Sequence, residues 1–164
     1  MTDPSLSKLL TAVELRAARD RLTARGGRLV FTNGCFDLLH VGHVRYLQAA
    51  RALGDALAVG LNADASVRVL KGAGRPLNNE ADRAEVLAAL ACVDFVTIFA
   101  EPRATDLLTA VRPQVYVKGG DYTLETLNAE ERAALEAAGA EIRFVPLVPG
   151  RSTTGMIEGL RARG

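Results

Sequence analysis

The sequence has few cysteines and no excess of charge of either sign. Its 164 residues include two cysteines, and 20 lysines and arginines are balanced against 19 aspartates and glutamates. A net charge of +1 gives no overall attraction to nucleic acid or to a membrane, so affinity for anions must come from a local cluster of basic residues. No charged leader or long apolar run precedes the first predicted strand. We therefore expect a cytoplasmic protein that binds neither nucleic acid nor membrane.

Two common phosphate-binding loops are also missing. No Gly-x-Gly-x-x-Gly run follows the first predicted strand, and no Walker-type loop ending in Gly-Lys-Ser or Gly-Lys-Thr occurs. A standard dinucleotide site and a P-loop are therefore excluded. The chain has only two histidines, His40 and His43. A zinc site at this pair needs a further ligand, which makes it the less favoured alternative, and we predict no metal site on the protein itself.

Apolar strands alternate with helical segments along the chain. Nearly continuous apolar strands imply a sheet that is covered on both faces, and the alternation is typical of parallel strands joined by helices. We therefore predict an α/β fold: a Rossmann-like, doubly wound, parallel five-stranded sheet with helices on both faces. The predicted strands are 28–32, 56–61, 93–99, 114–117 and 141–145, and the predicted helices are 11–24, 41–53, 63–70, 80–91, 105–111, 128–138 and one that starts at 152.

No repeat, linker or low-complexity segment divides the sequence. With 49% apolar residues the chain suits one domain with a substantial core. We expect a single domain over residues 1–164, with an N-terminal helical appendage at 1–27 and an α/β core at 28–164. In such a fold a ligand binds in the crevice at the carboxyl ends of the strands.

The segment FTNGCFDLLHVGH at 31–43 brings both histidines to the start of a helix. Asn33-Gly34 is a strong signal for chain reversal, so we predict that the first strand breaks there. Unpaired amides and the positive dipole end of the following helix favour an anion. His40 and His43 are three residues apart and can share one face of the helix. The segment therefore predicts a phosphate-binding site.

A second basic segment, at 62–75, leaves the carboxyl end of the second predicted strand. Lys71 and Arg75 lie among glycines, and Arg83 follows on the next helix. Arginine offers a planar pair of donors and lysine a point charge, so these side chains suit phosphates. The alternative is an ordinary solvated loop.

Two more segments lie near the same predicted edge of the sheet. VKGGDY at 117–122 places Lys118 toward the crevice, where Asp121 and Tyr122 suit a polyhydroxylated acceptor, although an aspartate beside glycine also suits a simple turn. RSTT at 151–154 opens the last predicted helix. Ser152 there is either an N-cap or part of a phosphate site.

The sequence HVGH at 40–43, after Asn33-Gly34-x-Phe36-Asp37, resembles the His-x-Gly-His signature of the nucleotidyltransferase superfamily. In that superfamily the two histidines bind the triphosphate and stabilise charge on the α-phosphate during attack. A Ser-Thr-Thr segment at the start of the last helix grips the β and γ phosphates. The resemblance implies these roles for the two histidines and for Ser152 and Thr153.

Three segments together resemble one branch, the D-glycero-D-manno-heptose 1-phosphate adenylyltransferases. They are LKGxxRP at 70–76, VKGGDY at 117–122 and RSTT at 151–154, and the likeness runs from about Arg28 to the C-terminus. It implies transfer of AMP from ATP, bound with Mg²⁺, to the sugar 1-phosphate, with ADP-heptose and pyrophosphate as products. It also implies a homodimer and a separate sugar kinase upstream. The alternatives are another nucleotidyltransferase, such as a glycerol-3-phosphate cytidylyltransferase, and a nucleotide-binding module without catalysis.

The resemblance implies three groups of site residues, and it leaves the contacts of Arg151 open. Asp37 either orients a histidine or caps the turn. The implied catalytic residues are His40, His43 and Lys71. The implied nucleotide- and phosphate-binding residues are Thr32, Asn33, Gly34, Cys35, Phe36, Gly42, Arg151, Ser152 and Thr153. The implied acceptor-binding residues are Asp37, Asn62, Asp64, Arg75, Lys118 and Asp121.

Overall fold

Five parallel strands form one sheet in the computed structural model, which describes residues 6–146 and 153–162. The strand order is β3-β2-β1-β4-β5, so the direction of winding reverses between β1 and β4. This confirms the predicted doubly wound fold and places the expected ligand crevice beside β1. The strands are β1 (Leu29–Gly34), β2 (Ala56–Asn62), β3 (Phe95–Phe99), β4 (Val115–Gly119) and β5 (Glu141–Val145).

Seven helices and a short 3₁₀ turn at Leu6–Lys8 complete the described part of the chain. The helices are α1 (Ala12–Thr23), α2 (Val41–Arg51), α3 (Asp64–Lys71), α4 (Glu80–Ala88), α5 (Thr105–Val111), α6 (Ala129–Ala138) and α7 (Thr153–Arg161). The starts of α1, α2, α4 and α6 carry side-chain caps, whereas those of α3 and α5 do not. Thr11 and Glu14, for example, form the predicted capping box at the start of α1.

The helices cover the two faces of the sheet and create two apolar cores. On one face, Leu47 of α2 and Leu87 of α4 pack with Val59 of β2. On the other face, α1, α5 and α6 pack against residues such as Phe31 of β1. Every residue of β2 is buried, which is why this strand is almost entirely apolar.

The segment at residues 1–27, predicted as an appendage, packs onto the sheet in its described part. Leu9 forms a parallel bridge with Val96, and the Leu10 amide donates to the Val96 carbonyl oxygen at 2.9 Å. Leu15 of α1 is completely buried in the same core as Phe31. No helix among the described residues is both long and apolar enough to cross a membrane.

The first strand continues two residues beyond its predicted end at Thr32. Asn33 and Gly34 still pair with β2, so the strand does end at the glycine, but the chain reversal predicted at these two residues is wrong. The turn comes later, where Phe36 adopts a left-handed backbone with φ 42°. A Cβ atom on Gly34 would lie 3.0 Å from the Phe36 ring. A glycine at 34 thus lets the strand end lie close to the turn that leads into α2.

Candidate active site

A cavity of about 490 Å³ opens at the carboxyl ends of the strands, at the point where the winding reverses. Its walls come from the end of β1, the start of α2, the end of α3 and the end of β4. Most of the predicted site residues meet there. Those that line it are Asn33, Gly34, Cys35, Phe36, Asp37, His40, Gly42, His43, Asn62, Lys71, Arg75, Lys118 and Thr153.

The two histidine rings lie side by side at the start of α2, with their centroids 4.0 Å apart. The Gly42 amide donates to Nδ1 of His40 at 3.1 Å, and the His40 amide donates to Nδ1 of His43 at 3.4 Å. A neutral imidazole that accepts at Nδ1 carries its proton at Nε2. Both rings are therefore held by the backbone as Nε2–H tautomers, a form that can donate to an anion.

Burial sets the protonation state of His43. Desolvation, with a smaller contribution from the neighbouring His40, lowers the pKa of His43 from 6.5 to about 4. The ring is therefore neutral near pH 7 in the free protein. A neutral His43 ring can still donate a hydrogen bond to a phosphate oxygen.

Asp37, predicted to contact the acceptor or to support the turn, holds the loop that follows α3. Its buried carboxylate accepts from Arg75 Nε at 2.6 Å, from the Leu77 amide at 2.8 Å and from the Asn78 amide at 3.0 Å. Burial opposes ionisation, but the two amides and the guanidinium outweigh it and hold the pKa of Asp37 below its ordinary value. Asp37 therefore joins the β1–α2 turn to the segment that carries Arg75.

Arg83, which follows the second basic segment on the next helix, is a buried structural residue. Its side chain donates to the carbonyl oxygens of Cys35 at 2.6 Å, Asn62 at 2.9 Å and Asn78 at 3.0 Å. It also forms an ion pair of 2.6 Å with Asp64. One guanidinium thus connects the ends of β1 and β2 with the start of α3. Its charge is used to stabilise the walls of the cavity and is not available to a ligand.

Lys71 and Lys118 bring cationic side chains to the cavity from opposite sides of β1. Lys118 follows the buried part of β4, and its Nζ lies 5.2 Å from the centre of the Tyr122 ring. Burial lowers the pKa of Lys118 below its ordinary value; Glu131 opposes this shift and Arg103 adds to it. An incoming phosphate would compensate the cost of holding this charge away from water.

Three predicted site residues lie outside the described lining of the cavity. Thr32 is fully buried, and its hydroxyl lies 2.7 Å from that of Tyr46. Asp64 is engaged by Arg83, and Asp121 is exposed on the loop after β4. Thr32 therefore packs against α2 through Tyr46, and neither Asp64 nor Asp121 is among the described residues that line the cavity.

The last predicted phosphate group is only partly described. Thr153, the first residue of α7, lines the cavity, and its hydroxyl donates to the Leu38 carbonyl oxygen at 3.1 Å. This bond brings the start of α7 to the turn that precedes the histidines. Arg151 and Ser152 fall outside the described residues.

Residues 31–155 match the model of the cytidylyltransferase-like family. The chain belongs to that family. This confirms the nucleotidyltransferase resemblance carried by the histidine motif, and by family the chain is a nucleotidyltransferase.

Curated relatives are similar over most of this chain. Bifunctional protein HldE of Geotalea uraniireducens (strain Rf4) is 61% identical over 137 residues, covering 84% of this chain and 28% of that protein. Bifunctional protein HldE of Syntrophotalea carbinolica (strain DSM 2380 / NBRC 103641 / GraBd1) is 51% identical over 152 residues, covering 93% of this chain and 31% of that protein. The chain thus spans less than a third of the length of these relatives.

Two solved structures share the fold. The lipopolysaccharide core biosynthesis protein of Thermoplasma volcanium GSS1 has a TM-score of 0.61 and 27% identity, with 75% of this chain and 98% of that chain covered. Pantoate-beta-alanine ligase of Francisella tularensis has a TM-score of 0.60 and 15% identity, with 89% and 68% covered. The second likeness is one of fold alone.

The nucleotidyltransferase site also contains residues that the sequence analysis missed. Arg103 lies in the loop after β3, and Glu131 lies in the first turn of α6; both line the cavity. Arg103 follows the carboxyl end of β3, just as the predicted cations follow the ends of other strands. A search for basic residues after every strand end would therefore have found it. Glu131 carries no such signal, because an acidic residue in the first turn of a helix is ordinary capping chemistry. Tyr46 and Pro102 complete this group.

Among residues 6–146 and 153–162, no group of three histidine, cysteine, aspartate or glutamate side chains is placed to hold a metal ion. Asp37, one of the acidic residues on the cavity wall, is already neutralised by Arg75. These side chains suit a Mg²⁺ ion that arrives on the phosphate oxygens of a nucleotide and keeps several of its waters.

Proposed function

We propose that this domain transfers AMP from MgATP to D-glycero-D-manno-heptose 1-phosphate, forming ADP-heptose and pyrophosphate. The observation that carries the nucleotidyl transfer is the pair His40 and His43, held as neutral Nε2–H donors in a cavity that also contains Lys71 and Lys118. Such a site stabilises charge that develops on an α-phosphate and needs no general base.

The choice of acceptor is supported by likeness. The segments LKGxxRP, VKGGDY and RSTT resemble those of heptose 1-phosphate adenylyltransferases. Relatives named bifunctional protein HldE are up to 61% identical, and a lipopolysaccharide core biosynthesis protein shares the fold at 27% identity. An acceptor that is a sugar 1-phosphate, converted to a product for a cell-surface glycan, agrees with the sequence segments, with the relatives and with the structural likeness.

In the proposed reaction an oxygen of the sugar 1-phosphate attacks the α-phosphorus of ATP. The new P–O bond joins AMP to the sugar phosphate, and the bond between the α-phosphorus and the bridging oxygen breaks, with pyrophosphate as the leaving group. A phosphate monoester is already a nucleophile near neutral pH, so positioning and charge stabilisation dominate the catalysis. His40, His43 and Lys71 act on the α-phosphate.

The remaining groups bind the two substrates. The start of α7 around Thr153, together with Ser152 and Arg151, holds the departing pyrophosphate, because helix amides and hydroxyls suit its charge. Arg75, Lys118 and Asp121 contact the acceptor. Mg²⁺ enters as part of the nucleotide and offsets the charge of the triphosphate.

The test is pyrophosphate release by the purified protein with Mg²⁺, with ATP and CTP each crossed with heptose 1-phosphate and glycerol 3-phosphate. Activity with ATP and heptose 1-phosphate alone is the expected result. Activity with CTP and glycerol 3-phosphate would keep the chemistry and contradict the substrates. Nucleotide binding without turnover on any acceptor would contradict the enzymatic role.

The oligomeric state and cellular site belong to the same proposal. We expect a homodimer in the cytoplasm, where a sugar kinase reaction supplies the acceptor. Sedimentation equilibrium measures the mass directly: twice the mass of one chain is expected, and a monomer mass at the concentrations used for the assay would contradict the dimer.

A further inference from the structure

A carboxylate on the cavity wall repels phosphates, so phosphate binding alone does not explain its presence there. Asp37 and Glu131 are the acidic residues in the described lining. The charge of Asp37 is compensated by Arg75 and by two amides. Glu131 is different: it is only 3% exposed, yet no described residue forms an ion pair with it. Lys118 attracts this carboxylate electrostatically, but a buried carboxylate without a direct ion pair, beside a site for polyanions, still costs free energy.

One oxygen of Glu131 has a structural role and the other does not. Oε1 accepts from the Ala104 amide at 2.9 Å, which supports the start of α5. Among the described residues, none donates to Oε2. Because Glu131 lines the cavity, a ligand with a hydrogen-bond donor can reach that second acceptor. A bond from a neutral donor to a carboxylate is charge-assisted and therefore strong.

The position of Glu131 separates it from the side that holds the leaving group. The histidines begin α2, which packs on one face of the sheet, whereas Glu131 begins α6 on the other face. Thr153 approaches the histidine side, through its bond to Leu38. In phosphoryl transfer the attacking and leaving oxygens are roughly in line, so the acceptor approaches from the side away from the pyrophosphate. Glu131, which begins the helix on the other face of the sheet, suits that side.

We propose that Glu131 binds a hydroxyl group of the acceptor through Oε2 and so selects a polyhydroxylated sugar phosphate. This inference rests on the proposed nucleotidyl transfer. Lys118 interacts electrostatically with Glu131 and with Arg103, and these two cations line the cavity. They suit the acceptor phosphate, while the carboxylate repels a phosphate that enters in the reverse orientation. Glu131 is thus a specificity-determining residue.

The first variant is Glu131→Gln, which keeps the size of the side chain and a carbonyl oxygen for the Ala104 amide. It replaces the second acceptor oxygen with an NH₂ donor. We expect the KM for heptose 1-phosphate to rise by about 10- to 100-fold, while the KM for ATP stays unchanged and the melting temperature does not fall. The matched control is Glu130→Gln, the exposed neighbour on the same turn, which should leave all three quantities unchanged.

A series of monodeoxy analogues of the acceptor tests the same contact without altering the fold. With the wild-type protein, one analogue should lose about 10- to 100-fold in kcat/KM, because the carboxylate is left without its donor. Glu131→Gln should discriminate much less between that analogue and the parent sugar. This coupling between one hydroxyl and one residue does not arise from a purely structural role.

The outcomes separate this inference from the function on which it rests. A wild-type enzyme that accepts all the analogues equally well would overturn the role of Glu131 and leave the proposed function intact. A rise in the KM for ATP alone would assign the carboxylate to the nucleotide base, which also overturns it. A wild-type protein that is silent with every sugar 1-phosphate would contradict both.

Discussion

Single residues decide the chemistry of this site through their tautomers and charge. Backbone amides occupy Nδ1 of both histidines, which leaves Nε2–H as the donor on each ring. Asp37 and Arg75 form an ion pair, whereas Lys71, Lys118 and Arg103 line the cavity without an ion pair among the described residues. The cavity thus combines imidazole donors with cationic side chains, which suits the charge of a nucleotide and a phosphate.

His43→Ala should lower kcat by about 10²- to 10³-fold, because a donor to the α-phosphate is lost in the transition state. The assay is pyrophosphate release at saturating ATP and acceptor. Arg45→Ala, an exposed position on the same helix, is the matched control and should keep the wild-type kcat. A variant at position 43 with nearly normal turnover would remove this residue from the catalytic group.

The pKa of His43 predicts a loss of stability in mild acid. In the unfolded chain the ring takes up a proton below about pH 6.5, whereas the folded protein takes it up only near pH 4. Between these values the unfolded state binds more protons, so the free energy of unfolding falls as the pH falls. Urea unfolding at pH 7 and pH 5 should show this decrease, and His43→Gln should reduce it.

The imidazole signals in an NMR titration provide a direct check, because the chain has only two histidines. One signal should stay unshifted until the pH is well below 6.5. If both rings titrate near 6.5, the description of His43 as a buried neutral donor is wrong.

At the scale of elements, the cavity depends on bonds between segments that are distant in sequence. The β1–α2 turn is tied to the loop after α3 through Asp37, and Arg83 of α4 is tied to the ends of β1 and β2. These contacts hold the turn with the histidines next to the loop with Arg75. The site is thus built from strand ends, from helix ends and from the loops between them, and these long-range bonds hold those parts together.

Asp37→Ala should lower the free energy of unfolding by about 3 kcal/mol, because it leaves Arg75 and two amides without their shared acceptor. Chemical denaturation measures this loss. The control is Asp20→Ala, which removes an exposed carboxylate that pairs with Arg16 and Arg19, and it should cost far less. Equal losses in the two variants would contradict the tie between turn and loop.

At the scale of the whole molecule, the N-terminal segment is part of the packed structure. Among the described residues before β1, Leu9 pairs with Val96 of β3, and the apolar side of α1 packs into one of the two cores. The sheet is therefore covered on that face by three helices. Residues 6–28 contribute to the stability of the domain through these contacts, although none of them lines the cavity.

Leu15→Ala should destabilise the protein by about 2–5 kcal/mol, because it opens a space in a fully buried part of the core. Val13→Ala, on the opposite side of the same helix and 80% exposed, should change stability by no more than about 0.5 kcal/mol. Thermal and urea unfolding of both variants give the comparison. A small effect at Leu15 would mean that α1 is only loosely attached.

The sequence by itself determined the order of strands and helices and the place of the histidines. These features have local causes: apolar runs for buried strands, capping residues such as Thr11 and Asn128 at helix starts, and a loop after each strand. Because parallel strands all end at one edge, knowing where each strand ends was enough to bring Lys71, Lys118 and the histidines together.

Only the tertiary structure decided which charged residues serve the ligand. Arg83 and Lys71 are both basic residues that follow β2 in the sequence, yet Arg83 is buried among carbonyl oxygens and Lys71 lines the cavity. Asp37 meets its partner Arg75 across 38 residues, and Glu131 meets Ala104 across 27. The cost or benefit of a buried charge depends on the groups packed around it, and distant segments bring those groups together only in the folded chain.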